Sequence, residues 1–150
     1  MQVSVSQTIA APAETIWQAI TNIDNCDQMI TAIKSIEVLE RPEEGVVGLK
    51  WQETREMFGK DATETMWITE AKAPSYYHTR AESHGSVYIS TMAIEEQDGS
   101  CELSMSFKGE PQTFGAKILM FLMGAMVKKS MIKAIEQDLI DIKTFVEASK

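Results

Sequence analysis

From about Thr113 to Ala148 the chain contains no proline, and its only interior glycines are Gly115 and Gly124. Ile118, Phe121, Leu122, Ala125, Ile132, Ile135, Leu139, Ile142 and Val146 recur there at spacings of three and four, which predicts one α-helix with a single apolar stripe. A helix of about 33 residues is about 50 Å long, against a usual mean of about 11–12 residues. Such a helix needs an equally long apolar surface to lie on. It predicts a sheet beneath it.

The preceding residues have the texture of that sheet. Val3, Val5 and Gln7 alternate with Ser4, Ser6 and Thr8, which predicts a first strand. Pro12 then suits the first turn of a helix, and Ile16, Trp17, Ile20 and Ile23 follow at helical spacing. The stretch "DNCDQMITAI" reads as a second short helix or turn. From about residue 33 to 110 the period becomes two. Ile36 and Val38 alternate in one strand, and "PEEG" at 42–45 turns the chain. Val47, Leu49, Trp51, Glu53 and Arg55 share a face of the next strand. A turn, "FGK" with Gly59, leads to a strand that puts Glu64, Met66 and Ile68 together and ends at Pro74. "SYYHTRAES" is a further strand, broken by "HG", where His84 reads as a turn residue. Tyr88, Ser90, Met92 and Ile94 share one face of the strand after it. "QDGS" is a hairpin turn, and Leu103, Met105 and Phe107 share a face of the last strand.

Strands joined by short turns make an antiparallel meander, and helices segregated to one face of it make an α+β fold. The expected architecture is a curved sheet of about seven strands, with two short helices after strand one and one long C-terminal helix across the sheet. One helix crossing a strongly curved sheet cannot close every gap beneath it. A cavity is expected between them, and such cavities hold small ligands.

At 150 residues the chain is expected to be one domain, residues 1–150. Its net charge of −8 repels nucleic acid and anionic lipid, so bulk charge recruits neither. The charge is uneven: residues 1–110 hold 8 Lys/Arg against 18 Asp/Glu, and residues 111–150 hold 6 against 4. The uncharged run Ile118–Val127 is bounded by Lys117 and by Lys128 and Lys129. A bilayer-crossing helix needs about 20 apolar residues, so no integral membrane segment is expected. The N-terminus shows neither a basic n-region nor a long apolar h-region. Cys26 and Cys101 read as free thiols of a reducing compartment. Together these features predict a cytoplasmic protein.

Several segments resemble the START-like, or SRPBCC, superfamily with the helix-grip fold, which includes the birch-pollen-allergen-like proteins. They are "IAAPAETIWQAITNID" at 9–24, "VGLKW" at 47–51, "ITEAKAPSYYHTR" at 68–80 and "MAIEEQDGSCELSMSF" at 92–107, completed by the long helix. The similarity covers essentially the whole chain and is nearest to the bacterial polyketide cyclase/dehydrase-like and lipid-transport-like branch. It implies a cavity for hydrophobic ligands such as lipids or polyketides. Some members are cyclases or dehydratases, others carriers, and related ones bind chaperones, so the resemblance supplies no catalytic residue.

Alternation aims Glu53, Arg55 and Glu64 at the covered face. Buried charges are rare unless paired. One reading is a polar patch in an apolar cavity that orients a ligand carboxylate or does acid–base work. The other is solvated charge at a frayed or bulged strand. Tyr76, His78 and Arg80 share a face whose polarity suggests solvent, which leaves Tyr77 to the cavity; His78 is a surface residue or, through its pKa near neutrality, a catalytic one. The expected ligand-binding set is Leu49, Trp51, Glu53, Arg55, Glu64, Met66, Tyr77, Tyr88, Ser90, Met92, Met105, Phe107, Phe121, Met123 and Ala125. Met120 and Met126 add to an adaptable wall. The two His and two Cys have no ligand spacing, no glycine-rich nucleotide fingerprint is present, and neither metal nor cofactor is expected.

Three functions compete: a binding or transport module for a small hydrophobic molecule, a polyketide cyclase/aromatase or dehydratase using Glu53, Arg55 and Glu64, and a protein-interaction module. The first is favoured, because the cavity follows from the architecture while no reactive constellation stands out. The chain is expected to be a monomer or weak homodimer.

Overall fold

The structure is a computed structural model that describes residues 2–57, 59–83 and 85–148. Phe58 and His84, both assigned to turns from the sequence, lie outside the described residues.

β1 (Gln2–Ile9) leads through α1 (Ala13–Thr21), a 3-10 turn at Ile23–Asn25 and α2 (Cys26–Met29) to β2 (Ile33–Glu40). There follow β3 (Lys50–Met57), β4 (Lys60–Lys72), β5 (Tyr76–Ser83), β6 (Ser86–Gln97), β7 (Ser100–Pro111) and α3 (Phe114–Ala148). The strands form one antiparallel sheet in the order β1-β7-β6-β5-β4-β3-β2. β1 and β2, neighbours in sequence, are therefore its two edges, and α1 and α2 carry the chain from one edge to the other. Register shifts at Ile33/Ser35, Val38/Glu40 and Ile68/Glu70 bend the strands as bulges do. This is the α+β architecture that the alternation implies, and the helix-grip fold that the resemblance implies.

The inward positions are those that period two assigns. Val3, Trp51, Glu53, Tyr77, Thr79, Met92 and Leu103 are buried while their sequence neighbours are more exposed. From α1, Ile16, Trp17 and Ile20 join the same core, and Trp17 packs edge-on against Tyr77 with ring centroids 6.0 Å apart.

α3 is capped by Thr113, whose Oγ1 accepts the Ala116 N–H at 3.1 Å. Its C-terminal half follows the expected stripe: Ile135, Leu139, Ile142 and Val146 are buried. Polar ties fix that half to the body. Asp141 Oδ2 accepts the Thr31 N–H at 2.9 Å and the Thr31 hydroxyl at 2.8 Å. Glu147 Oε2 accepts the Ala10 N–H at 2.9 Å, and Lys143 Nζ donates to the Thr8 carbonyl at 3.0 Å.

The N-terminal half corrects the expected stripe. Ile118, Phe121, Leu122 and Ala125 are exposed, not sheet-facing, and Phe121 reaches 88 %. Successive helix residues turn by about 100°. The covered face through Ile142, Asp138, Ile135 and Met131 continues back through Val127, Gly124 and Met120; Phe121 and Ala125 each stand one residue beyond it.

Candidate functional site

Between α3 and the inner face of the sheet lies a cavity of about 490 Å³, within the usual range of about 300–1,000 Å³ for small-molecule sites. Its wall is mostly apolar. The structure brings Trp51, Glu53 and Arg55 on β3 together with Glu64 and Met66 on β4, and Tyr77 on β5. β6 adds Tyr88, Ser90 and Met92, β7 adds Met105 and Phe107, and α3 adds Met120 and Met123.

Leu49, Phe121, Ala125 and Met126 are corrections, since none of them lines the cavity. Leu49 precedes β3, bonds through its backbone to Val46 and Ile68, and packs in the apolar core. Phe121, Ala125 and Met126 are exposed on the outer side of α3. Sequence reasoning missed the floor supplied by Ile20, Ile23, Cys26, Met29 and Ile30, and it missed Asp138. For Asp138 a signal existed: it interrupts the apolar series Ile135–Leu139–Ile142 at a buried phase of the helix.

The polar patch centres on Arg55. Its Nε donates to Glu53 Oε2 at 2.8 Å and its Nη1 donates to Asp138 Oδ2 at 3.0 Å. Trp51 Nε1 donates to Glu53 Oε1 at 3.4 Å. All three ionic side chains are largely enclosed, so the reading of solvated charges at a frayed edge is set aside for Glu53 and Arg55. Burial alone would lower the Arg55 pKa, but Glu53 and Asp138 outweigh it and hold the guanidinium above its ordinary value. Burial pushes the Asp138 carboxyl up, more than Arg55 pulls it down. The nearby Glu53 and Asp141 carboxylates push it further up. Asp138 is 4 % exposed, and its Oδ1 is closed off from solvent with no hydrogen-bond partner among the described residues. Glu64 faces Glu53 across the β3–β4 ladder.

Burial, with Glu53 and Asp27 nearby, pushes the Cys26 thiol up to about 12, so Cys26 is a neutral thiol and not a nucleophilic thiolate at neutral pH. Burial likewise drives the Tyr77 pKa well upward, and its hydroxyl donates to the Ile20 carbonyl at 3.3 Å. The Thr79 and Ser90 hydroxyls bond to each other. Tyr88 stacks on Phe107 at 5.5 Å. Gly109 makes room there: a Cβ would stand 3.3 Å from the Tyr88 ring and 3.4 Å from the Met120 methyl. His78 lies on the opposite face of the sheet, with Nδ1 2.7 Å from Thr91 Oγ1 and its ring beside Tyr76. It takes no part in the cavity.

A curved antiparallel sheet gripping one long helix over an apolar cavity defines a START-like, helix-grip protein. The family described as polyketide cyclase / dehydrase and lipid transport matches residues 1–147, and the chain belongs to it. A START superfamily protein from Mycobacterium smegmatis has a similar structure, with TM-score 0.83 at 20% identity over 99% of each chain. A protein from Thermus thermophilus has TM-score 0.83 at 16% identity, covering 100% of this chain and 99% of that one. The Zhui aromatase/cyclase from a Streptomyces species has TM-score 0.75 at 15% identity, covering 98% and 93%. No curated protein matches the chain in sequence. Among the described residues, no helix is long and apolar enough to cross a membrane.

Proposed function

We propose that this chain, as a single domain, binds a small, mostly apolar molecule in the cavity under α3, and that the ligand carries a hydrogen-bond donor at one end. The observation that carries the reading is the group Glu53, Arg55 and Asp138 in the wall of a mostly apolar cavity, where Asp138 Oδ1 has no hydrogen-bond partner among the described residues. An unmet buried acceptor costs about 1–3 kcal/mol, which a ligand hydroxyl or ammonium would recover once a turn of the Asp138 carboxylate brings that oxygen to the cavity. The expectation of a bound carboxylate is revised. The Arg55 Nε and Nη1 groups are engaged by Glu53 and Asp138, and the described lining holds Glu53, Glu64 and Asp138 against Arg55. A ligand carboxylate would have to compete with Glu53 and Asp138 for the Arg55 guanidinium.

The test compares an aliphatic alcohol, amine and carboxylate of equal chain length by thermal shift and calorimetry, alongside native mass spectrometry of the purified protein. The alcohol or amine should bind at least tenfold more tightly than the carboxylate, and Asp138→Ala should erase that preference. No binding by any of the three, with no co-purifying molecule, overturns the reading.

A second reading, an aromatase/cyclase-like or dehydratase activity, draws support from the same side chain. A carboxyl held above its ordinary pKa in an enclosed wall is suited to proton transfer. Asp138→Asn and Glu64→Gln should then abolish turnover of a poly-β-keto thioester, and turnover retained in both removes this reading.

A further inference from the structure

The N-terminal half of α3 has an outer surface that the cavity does not use. Phe114, Ile118, Phe121, Leu122 and Met126 are 79, 44, 88, 73 and 66 % exposed, and none lines the cavity. They crowd into about three and a half turns of one helix. Isolated exposed apolar residues are ordinary, but a contiguous patch of large ones marks a surface that meets something.

Charge says what it meets. Between Glu110 and Glu136 the sequence holds four lysines, Lys117, Lys128, Lys129 and Lys133, and no acidic residue. The rest of the chain carries 10 Lys/Arg against 22 Asp/Glu, so the stretch that holds the apolar patch is net positive on an otherwise acidic chain. All four lysines are exposed, and none has a carboxylate partner among the described residues. A helix with an apolar outer face and a flanking row of lysines matches an anionic lipid surface: apolar side chains enter the acyl boundary, and lysine stems lie along it with their heads among the phosphates. A second copy of the chain fits less well, because pairing this face with itself sets lysines against lysines with no carboxylate to answer them. The acidic body repels an anionic surface only over a Debye length of about 10 Å at 0.1 M salt, while the lysines would sit at the surface itself.

We propose that the segment from Phe114 to Lys133 is a docking face for an anionic lipid bilayer. It lies on that surface and does not cross it. The reading stands apart from the identity of any cavity ligand.

Vesicle co-sedimentation tests it, with phosphatidylcholine alone and with an equimolar phosphatidylglycerol–phosphatidylcholine mixture. The wild-type chain should bind the mixed vesicles at least tenfold more strongly, and rising salt should weaken binding. Each lysine near an anionic surface is worth about fivefold in partitioning, so Lys128→Glu with Lys129→Glu should lower binding by well over tenfold. Phe121→Glu with Leu122→Glu, both solvent-facing, should abolish binding while the thermal unfolding midpoint stays within a few degrees. Equal binding to both vesicle types overturns the proposal, as does full binding by the Phe121→Glu, Leu122→Glu variant. So does a sedimentation-velocity dimer that this variant dissociates when the wild type ignores vesicles; a second copy is then the occupant.

Discussion

The two halves of α3 share a helix and almost nothing else. From Met131 to Glu147 the helix buries one stripe, interrupted by Asp138, with Leu139 at 0 % exposure, and its carboxylates and Lys143 tie it to Thr8, Ala10, Thr31 and Arg55. From Phe114 to Met126 it is apolar on both sides, one toward the cavity and one toward solvent. The difference teaches what amphipathicity decides. Where polar residues mark one side, the helix has a single best orientation; where they do not, the neighbours set its phase.

The comparison can be broken from the anchored end first. Arg55→Leu leaves Glu53 and Asp138 enclosed without their cation and should cost about 3–5 kcal/mol at neutral pH, measured by urea unfolding. Leu139→Ala should cost about 2–5 kcal/mol. Asp141→Ala, which hands the exposed Thr31 N–H and hydroxyl over to water, should cost about 0.5–1.5 kcal/mol. The Asp138 carboxyl adds a pH signature. Its pKa is raised in the fold, so its favourable contribution is complete below the ordinary Asp value and is lost as pH rises through the folded value above it. Asp138→Asn should therefore gain on the wild type as pH rises from the ordinary carboxylate range toward neutrality; a stability difference flat over that window contradicts the raised value. At the loose end, Phe121→Ala should change stability by no more than about 0.5 kcal/mol. A loss above about 2 kcal/mol there would mean that this face is buried in solution.

The sheet was legible because its strands alternate cleanly. One face of β3 reads Trp51, Glu53, Arg55, one face of β5 reads Tyr77, Thr79, Ala81, and one face of β6 reads Tyr88, Ser90, Met92, and all of these residues line the cavity. The family resemblance rested on the same segments and holds across the chain. Phe121 and Ala125 were misplaced because Ile118–Val127 contains no charged residue to mark an outer face. Leu49 was misplaced because parity gives the direction of a side chain but not how far along the sheet the cavity extends. Asp138 escaped notice because an aspartate on a long helix reads as solvent-facing until its partner is known, and Arg55 is 83 residues away.

The strand order carries a consequence for synthesis. β1 is an edge strand whose ladder partner is β7, with Val3 opposite Phe107 and Ile9 opposite Cys101. Its pairing must therefore wait until about 100 residues more have been made. Contacts this distant in sequence slow folding, since the closure entropy is spent before they form. On a ribosome adding about 5–20 residues per second, the first strand emerges long before its partner. Its alternating valines and serines, only half apolar, suit a segment that has to stay in water during that interval.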